Sequence, residues 1–330
     1  MRPPREWLML LGSLLVVGAL YNHYLGHSAY LVEIIFIAVG LLLVIYSLLR
    51  QEKVSGPLPE GLLFTFFSRY VPKKILVPAL PAAGFLIILL WSVWKIVVAG
   101  RSDLEMTDFI VTLFGLSLVL YYTGPTKLAM QKDFIVLYLM FMTIVFAVIW
   151  NIYQVVTGDS FYKVTAYSEY YSITQPVVSV VNLLGVHASA QLDLSGYGIS
   201  NLISYEYGGK MLLLGIGSGC SGLYSAGLFF SAFLAFVLVR YENVDRRILL
   251  ALGLGLLMTW ASNILRMTIT IFVGHLYGHP ALIFFHAYIG IVVFVIFVTV
   301  FWTLIIIWLD KFEKTVPERR TGLESTVPGS

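Results

Sequence analysis

The chain has 330 residues; 59% are hydrophobic, 12% are charged, and the formal net charge is +3. Soluble domains carry about 25% charged residues, so this composition excludes an ordinary soluble enzyme. The small positive charge is scattered over short loops, which argues against a nucleic-acid partner.

Apolar runs at 7–21, 29–49, 75–98, 108–122, 134–156, 221–239, 248–272 and 286–309 approach or exceed the roughly 20 residues that cross a bilayer as a helix. The expected fold is an all-α integral membrane protein, a bundle of about eight transmembrane helices. The first run follows Arg2 and Arg5, and no small-x-small cleavage site appears in Gly18-Ala19-Leu20-Tyr21. It is therefore expected to stay as a signal anchor. With both termini cytoplasmic, all but five of the 21 Lys and Arg residues fall on the inner side; the five are Lys95, Arg101, Lys163, Lys210 and Arg266. This asymmetry satisfies the positive-inside rule and fixes the expected orientation in the cell membrane. Trp91, Trp94 and Lys95 read as an outer aromatic belt with a snorkelling lysine.

Two connections are long. The inner one, 51–74, carries an apolar patch at 62–67 that is expected on the membrane surface. The outer one, 157–219, contains an apolar stretch at 176–184, too short to span and expected to be interfacial or re-entrant. Further on, 199–207 and 211–216 pair as a hairpin around Gly208-Gly209. The polar tail from 315 onward reads as disordered.

Chemistry concentrates in the last three runs. Cys220 is the only cysteine, so it forms no internal disulfide, and no Cys/His pair has zinc-ligand spacing. It stands in Gly217-Ser218-Gly219-Cys220-Ser221-Gly222, at the start of the sixth run. Small residues allow another backbone to approach, and a helix N-terminus favours a thiolate. The bland alternative is a buried thiol acting as a small hydrophobe. Arg266 lies inside the seventh run, where an arginine at mid-bilayer costs about 2.5–3.5 kcal/mol and usually marks a functional site. Thr259, Asn263, Arg266 and Thr270 recur at helical spacing as a polar stripe. Snorkelling to the headgroups is the alternative for Arg266. His286 opens the eighth run, with Gly290 one turn later. Hydropathy and loop charge bring Cys220, Arg266 and His286 to one depth near the outer face. All six histidines fall on the outer side, yet none forms a convincing metal-ligand pair. No metal and no cofactor are expected.

The strings Gly219-Cys220-Ser221-Gly222, Asn263-Ile264-Leu265-Arg266 and His286 resemble the exosortase/archaeosortase family of membrane cysteine transpeptidases. The resemblance runs over about 176–309 and includes the 176–184 segment with Gly185-Val186. It implies that secreted proteins bearing a C-terminal motif, a transmembrane helix and a basic cluster are cut and passed to an acceptor, a lipid in some archaeal cases. On that reading Cys220 is the nucleophile, Arg266 stabilises its thiolate or the oxyanion, and His286 is the general acid or base. Asn263 and Ser221 support them. The domain reading follows: 1–156 a five-span membrane region, 157–219 an external or interfacial segment, 220–312 a three-span catalytic core, and 313–330 a disordered cytoplasmic tail. A transporter with its polar stripe along a substrate path, or a membrane scaffold in which Cys220 merely packs, are the competing readings.

Overall fold

In an apolar surrounding every backbone N–H and C=O must be satisfied within the chain, and long apolar runs meet that demand as helices. The computed structural model describes residues 11–12, 15–16, 19, 30–49, 62–98, 105–122, 128–157, 161–192, 201–216, 222–241 and 244–313. Among these, four helices are long and apolar enough to cross a membrane: Lys73–Val97, Ala129–Thr157, Leu223–Arg240 and Arg246–Tyr277. Shorter apolar helical stretches, Ile34–Tyr46, Met106–Val119 and Val295–Leu309, stand where three further spans were expected. Of the first expected span, 7–21, only residues 11–12, 15–16 and 19 are described, and these are helical. The chain is a mostly helical membrane protein, and four of its described helices meet the length and composition needed to span.

The chain divides into two units, Met1–Phe161 with Gly227–Glu242, and Tyr162–Ala226 with Asn243–Ser330. In the first unit the helices are α1 (Tyr30–Leu49), α2 (Leu62–Ser68), α3 (Lys73–Val93, continued by a π-helical turn Trp94–Val98), α4 (Met106–Val119) and α5 (Ala129–Thr157). Helices α3 and α4 touch backbone to backbone. A Cβ on Gly84 would stand 2.3 Å from the Gly115 carbonyl oxygen, and one on Gly115 would stand 2.6 Å from that of Gly84. Small residues at such crossings are how helices associate where lipid removes the hydrophobic drive.

Lys95 departs from expectation. It does not snorkel but is 3% exposed and ion-paired with Asp108, itself 2% exposed. Trp91 Nε1 donates to the other carboxylate oxygen at 2.9 Å, and the Glu105 N–H donates to Asp108 Oδ2 at 2.7 Å. A carboxylate already held by two donors offers the ammonium a fixed partner, which favours pairing over a reach to the headgroups. The 62–67 patch is helical. Asp133 of α5 accepts from the Leu62 N–H at its start and from the Tyr121 hydroxyl at 2.5 Å. Phe64 is buried, while Leu62, Phe66 and Tyr70 are exposed.

The second unit adds a sheet to the expected all-α architecture. It contains α6 (Phe161–Glu169), a π-helical turn Tyr170–Thr174, α7 (Gln175–Leu183), β1 (Ala188–Leu192), β2 (Asn201–Tyr207) and β3 (Lys210–Ile216). Then come the start of α8 (Leu223–Arg240), α9 (Arg246–Tyr277) and α10 (His279–Glu313). The sheet is antiparallel in the order β1-β2-β3. The hairpin stands where it was expected: Gly208 and Gly209 take φ of +57° and +76°, as a two-residue turn with the hand of the strand twist requires. The third strand, β1, was not anticipated. Its run Ala188-Ser189-Ala190-Gln191-Leu192 has little β-branched or aromatic character, and its register comes from pairing Ala188 with Tyr205.

Alternation along β2 buries Asn201, Ile203 and Tyr205. Ile203, Tyr205 and Ile216 pack with Val177 and Val181 of α7 and with Met267 and Ile271 of α9. The 176–184 stretch is thus largely a short helix with one face in this core, while Leu183 is 86% exposed.

Candidate active site

Helix α9 is inverted relative to a helix in water. Ala251, Gly255, Thr259, Asn263, Met267, Ile271 and Gly274 are its buried side, and Leu249, Leu257, Met258 and Leu265 are exposed. Small and polar groups face inward and large apolar groups outward, as expected where the surroundings are lipid. The polar stripe read from the sequence lies on this inward side, with Thr259 2%, Asn263 6% and Thr270 1% exposed and Arg266 half-buried. The two threonines are satisfied locally. Thr259 Oγ1 donates to the Gly255 carbonyl and Thr270 Oγ1 to the Arg266 carbonyl, both at 2.8 Å. This back-bonding commits each hydroxyl's one proton to its own helix. Asn263 and Arg266 bring the stripe its amide and its guanidinium.

Asp245 caps the start of α9, its side chain accepting from the Arg247 and Ile248 N–H groups at 3.0 Å. The helix ends at Gly278, with φ +83°, and α10 follows at His279. His286 therefore does not open the last helix as expected. It lies seven residues inside, because the histidine- and proline-containing segment from His279 belongs to α10, and proline is tolerated in a first helical turn. Counted from Gly278, Arg266 is twelve residues down one arm and His286 eight down the other. The offset is about 6 Å of helix rise, within the reach of a guanidinium.

The sheet clamps the turn that sets this offset. His275 Nδ1 hydrogen-bonds to the Glu206 carbonyl at 2.5 Å. A Cβ on Gly278 would meet Tyr207 Cζ at 2.9 Å, and one on Gly274 would meet the Tyr205 hydroxyl at 3.0 Å. These contacts were invisible in the sequence, since only the fold sets Tyr205 and Tyr207 against glycines about two and three helical turns beyond Arg266.

Gly222 completes the described part of the site. Its φ of +79° is a conformation that favours glycine, and its carbonyl accepts from the Ala226 N–H at 2.9 Å at the start of α8. A Cβ there would lie 2.7 Å from Cγ of Asn263. Gly222, the last residue of the Cys-Ser-Gly string, thus rests on the asparagine one turn from Arg266. Cys220 and Ser221 themselves lie outside the described residues. Asn263, Arg266 and His286 belong to one unit, to which Tyr162–Ala226 also belongs.

Residues 58–303, about three quarters of the chain, match the family described as transmembrane exosortase. No curated protein and no solved structure matches the chain.

Proposed function

Because the chain belongs to the transmembrane exosortase family, we propose that it is a membrane-embedded cysteine transpeptidase acting on secreted proteins that carry a C-terminal sorting tail. The observation that carries this reading is the contact of Gly222 with Asn263, one turn from Arg266. Two residues of chain separate Cys220 from Gly222 and span at most about 7 Å, which ties the thiol to the stripe that holds the arginine. The family match favours this chemistry over a transporter or a scaffold.

In this mechanism the Cys220 thiolate adds to the carbonyl carbon of the scissile peptide bond. Arg266 stabilises the thiolate before attack or the oxyanion after it. The tetrahedral species collapses with cleavage of the C–N bond, and the leaving amine takes a proton from His286, leaving a thioester on Cys220. An acceptor nucleophile, a lipid headgroup in our reading, gives its proton to His286, attacks the thioester and releases the Cys220 thiolate. Asn263 orients the arginine, and Ser221 supports the motif. Among the described residues β3 has a partner strand on one side only, and it ends four residues before Cys220. An extended recognition motif adding there would be led toward the thiol. The site faces the outer side of the cell membrane in this reading.

The test is maturation of tail-bearing proteins in the native membrane. Cys220→Ala is expected to leave them full length, with Arg266→Ala and His286→Ala slowing their processing by about 10²-fold or more, as loss of a general acid or base does. Normal maturation in Cys220→Ala cells would rule the reading out.

A further inference from the structure

Helix α2, Leu62–Ser68, is seven residues long, too short to be stable in isolation, and the fold holds it in place. The Leu62 N–H donates to the Asp133 carboxylate of α5, which is 1% exposed and also accepts from the Tyr121 hydroxyl. Phe64 packs in a core with Leu76, Tyr121 and Val136. This anchoring fixes what the segment turns outward. Phe66, Phe67 and Tyr70 are 51%, 39% and 75% exposed. Their rings form one cluster, with centroids 5.5 Å apart for Phe66 and Phe67 and 5.6 Å apart for Phe66 and Tyr70. The exposed cations Arg69, Lys73 and Lys74 stand next to them in the chain, and Lys73 Nζ lies 5.9 Å from the centre of the Phe64 ring. No Asp or Glu occurs from 61 to 102. Lys73 also begins the apolar helix Lys73–Val97, long enough to cross a membrane. The aromatic and basic groups therefore stand at the end of a span, at the depth of the lipid headgroups.

We propose that this surface is a binding site for an anionic phospholipid. Arg69, Lys73 and Lys74 take the negative headgroup, and Phe66, Phe67 and Tyr70 lie against the upper part of its acyl chains. Three observations select this occupant. Three cations with no acid among them ask for negative charge, and each basic residue at a membrane surface favours an anionic lipid by about fivefold. Three exposed aromatic rings beside those cations ask for apolar cover, which a soluble anion does not supply. The start of a spanning helix puts the surface where lipid is its neighbour, and aromatic rings with basic residues are the usual contacts there. The anchoring through Asp133 and Phe64 makes the site preformed, so binding need not order the helix and the affinity is kept. The site belongs to the first unit, whereas Asn263, Arg266 and His286 belong to the second, and it does not depend on the enzymatic reading.

The experiment uses the full-length protein in nanodiscs of equal parts phosphatidylglycerol and phosphatidylcholine. Photoreactive benzoylphenylalanine replaces Phe66, and lipid adducts are identified by mass spectrometry. The control position is Leu90, 64% exposed on the same helix as Lys74 and about 24 Å along it. Adducts to phosphatidylglycerol should exceed those to phosphatidylcholine about tenfold at Phe66 and equal them at Leu90. Arg69→Gln, Lys73→Gln and Lys74→Gln together should bring the ratio at Phe66 down to that at Leu90. In a second measurement, phosphatidylglycerol should raise the Tm of the protein without the photoreactive residue and leave that of the triple variant unchanged, as binding to the folded state requires. Glycerol 3-phosphate, the anion without its chains, should raise neither. Equal adducts of the two lipids at Phe66, the same enrichment at Leu90, an enrichment that survives in the triple variant, or adducts mainly to a second copy of the chain overturn the site. A rise in Tm with glycerol 3-phosphate as large as that with the lipid overturns it too, in favour of a soluble anion. Should the triple variant fail to fold, the ratios at Phe66 and Leu90 and the glycerol 3-phosphate comparison, all made on the unneutralised protein, decide the matter.

Discussion

Gly222 and Asn263 touch so closely that a single methyl group on the glycine would lie 2.7 Å from the Asn263 side-chain carbon Cγ. The contact joins the string that carries the only cysteine to the helix that carries the arginine. Gly222→Ala is expected to strain the +79° backbone by about 1–2 kcal/mol and to push the asparagine aside. Tail maturation should fall tenfold or more. Asn263→Ala relieves the clash, so the two substitutions together should cost clearly less than the sum of their separate effects. A double-mutant cycle on maturation rate measures this, and strict additivity would contradict the contact.

In the proposed chemistry Arg266 stabilises the thiolate or the oxyanion, and the thiol's reactivity separates the two. Alkylation of Cys220 by a membrane-permeant iodoacetamide at neutral pH should be about tenfold slower in Arg266→Ala, because the thiolate loses its neighbouring cation. Equal rates would confine the arginine to the oxyanion, leaving its role in catalysis to be read from maturation.

The Lys95–Asp108 pair is buried on both sides. Asp108→Ala leaves an uncompensated ammonium, a loss of about 3–5 kcal/mol for a buried pair. Replacing both partners, as Lys95→Met with Asp108→Leu, should recover much of the thermal stability lost by either single change. A double variant less stable than both singles would show that the pair itself stabilises the α3–α4 hairpin.

The Tyr205 hydroxyl is buried and has no hydrogen-bond partner among the described residues. Burial raises its pKa above the ordinary 10.0. Its neutral form is the one the folded state prefers, so this contribution to stability is full below pH 10 and is lost as pH rises from there toward the folded-state value. Tyr205→Phe should cost little at pH 7, since a lone buried hydroxyl is a desolvation burden, and should lessen the fall of Tm above pH 10. A large loss at pH 7 would mean that the hydroxyl is bonded to a group the geometry does not show.

The sequence made legible those features that follow from local periodicity and charge. The stripe through Asn263 and Arg266 is a matter of helical spacing, and it does lie on the inward side of α9. The Gly208-Gly209 hairpin follows from turn chemistry. Features set by distant partners were not legible. Lys95 reads as snorkelling until Asp108, thirteen residues away, is seen to be fixed by Trp91 and Glu105. His286 reads as a helix start because the apolar run begins there, yet the helix starts at His279, where Gly278 breaks the backbone. The strand β1 has no pattern of its own and exists by pairing with β2. The threonines share the spacing of the stripe, but each donates to its own helix.

The central claim is that Cys220 carries the acyl group, and capture of that intermediate tests it most directly. Membranes from cells making the wild-type protein are quenched in acid during turnover, and the Cys220 peptide is analysed by mass spectrometry before and after hydroxylamine. The account predicts a hydroxylamine-labile adduct on Cys220 whose acyl part is the new C-terminus of a secreted protein, absent when Arg266 is replaced by Ala. Tail maturation that continues in the wild-type protein with no thioester detectable on Cys220 under trapping, or in a protein with Cys220→Ala, would contradict it.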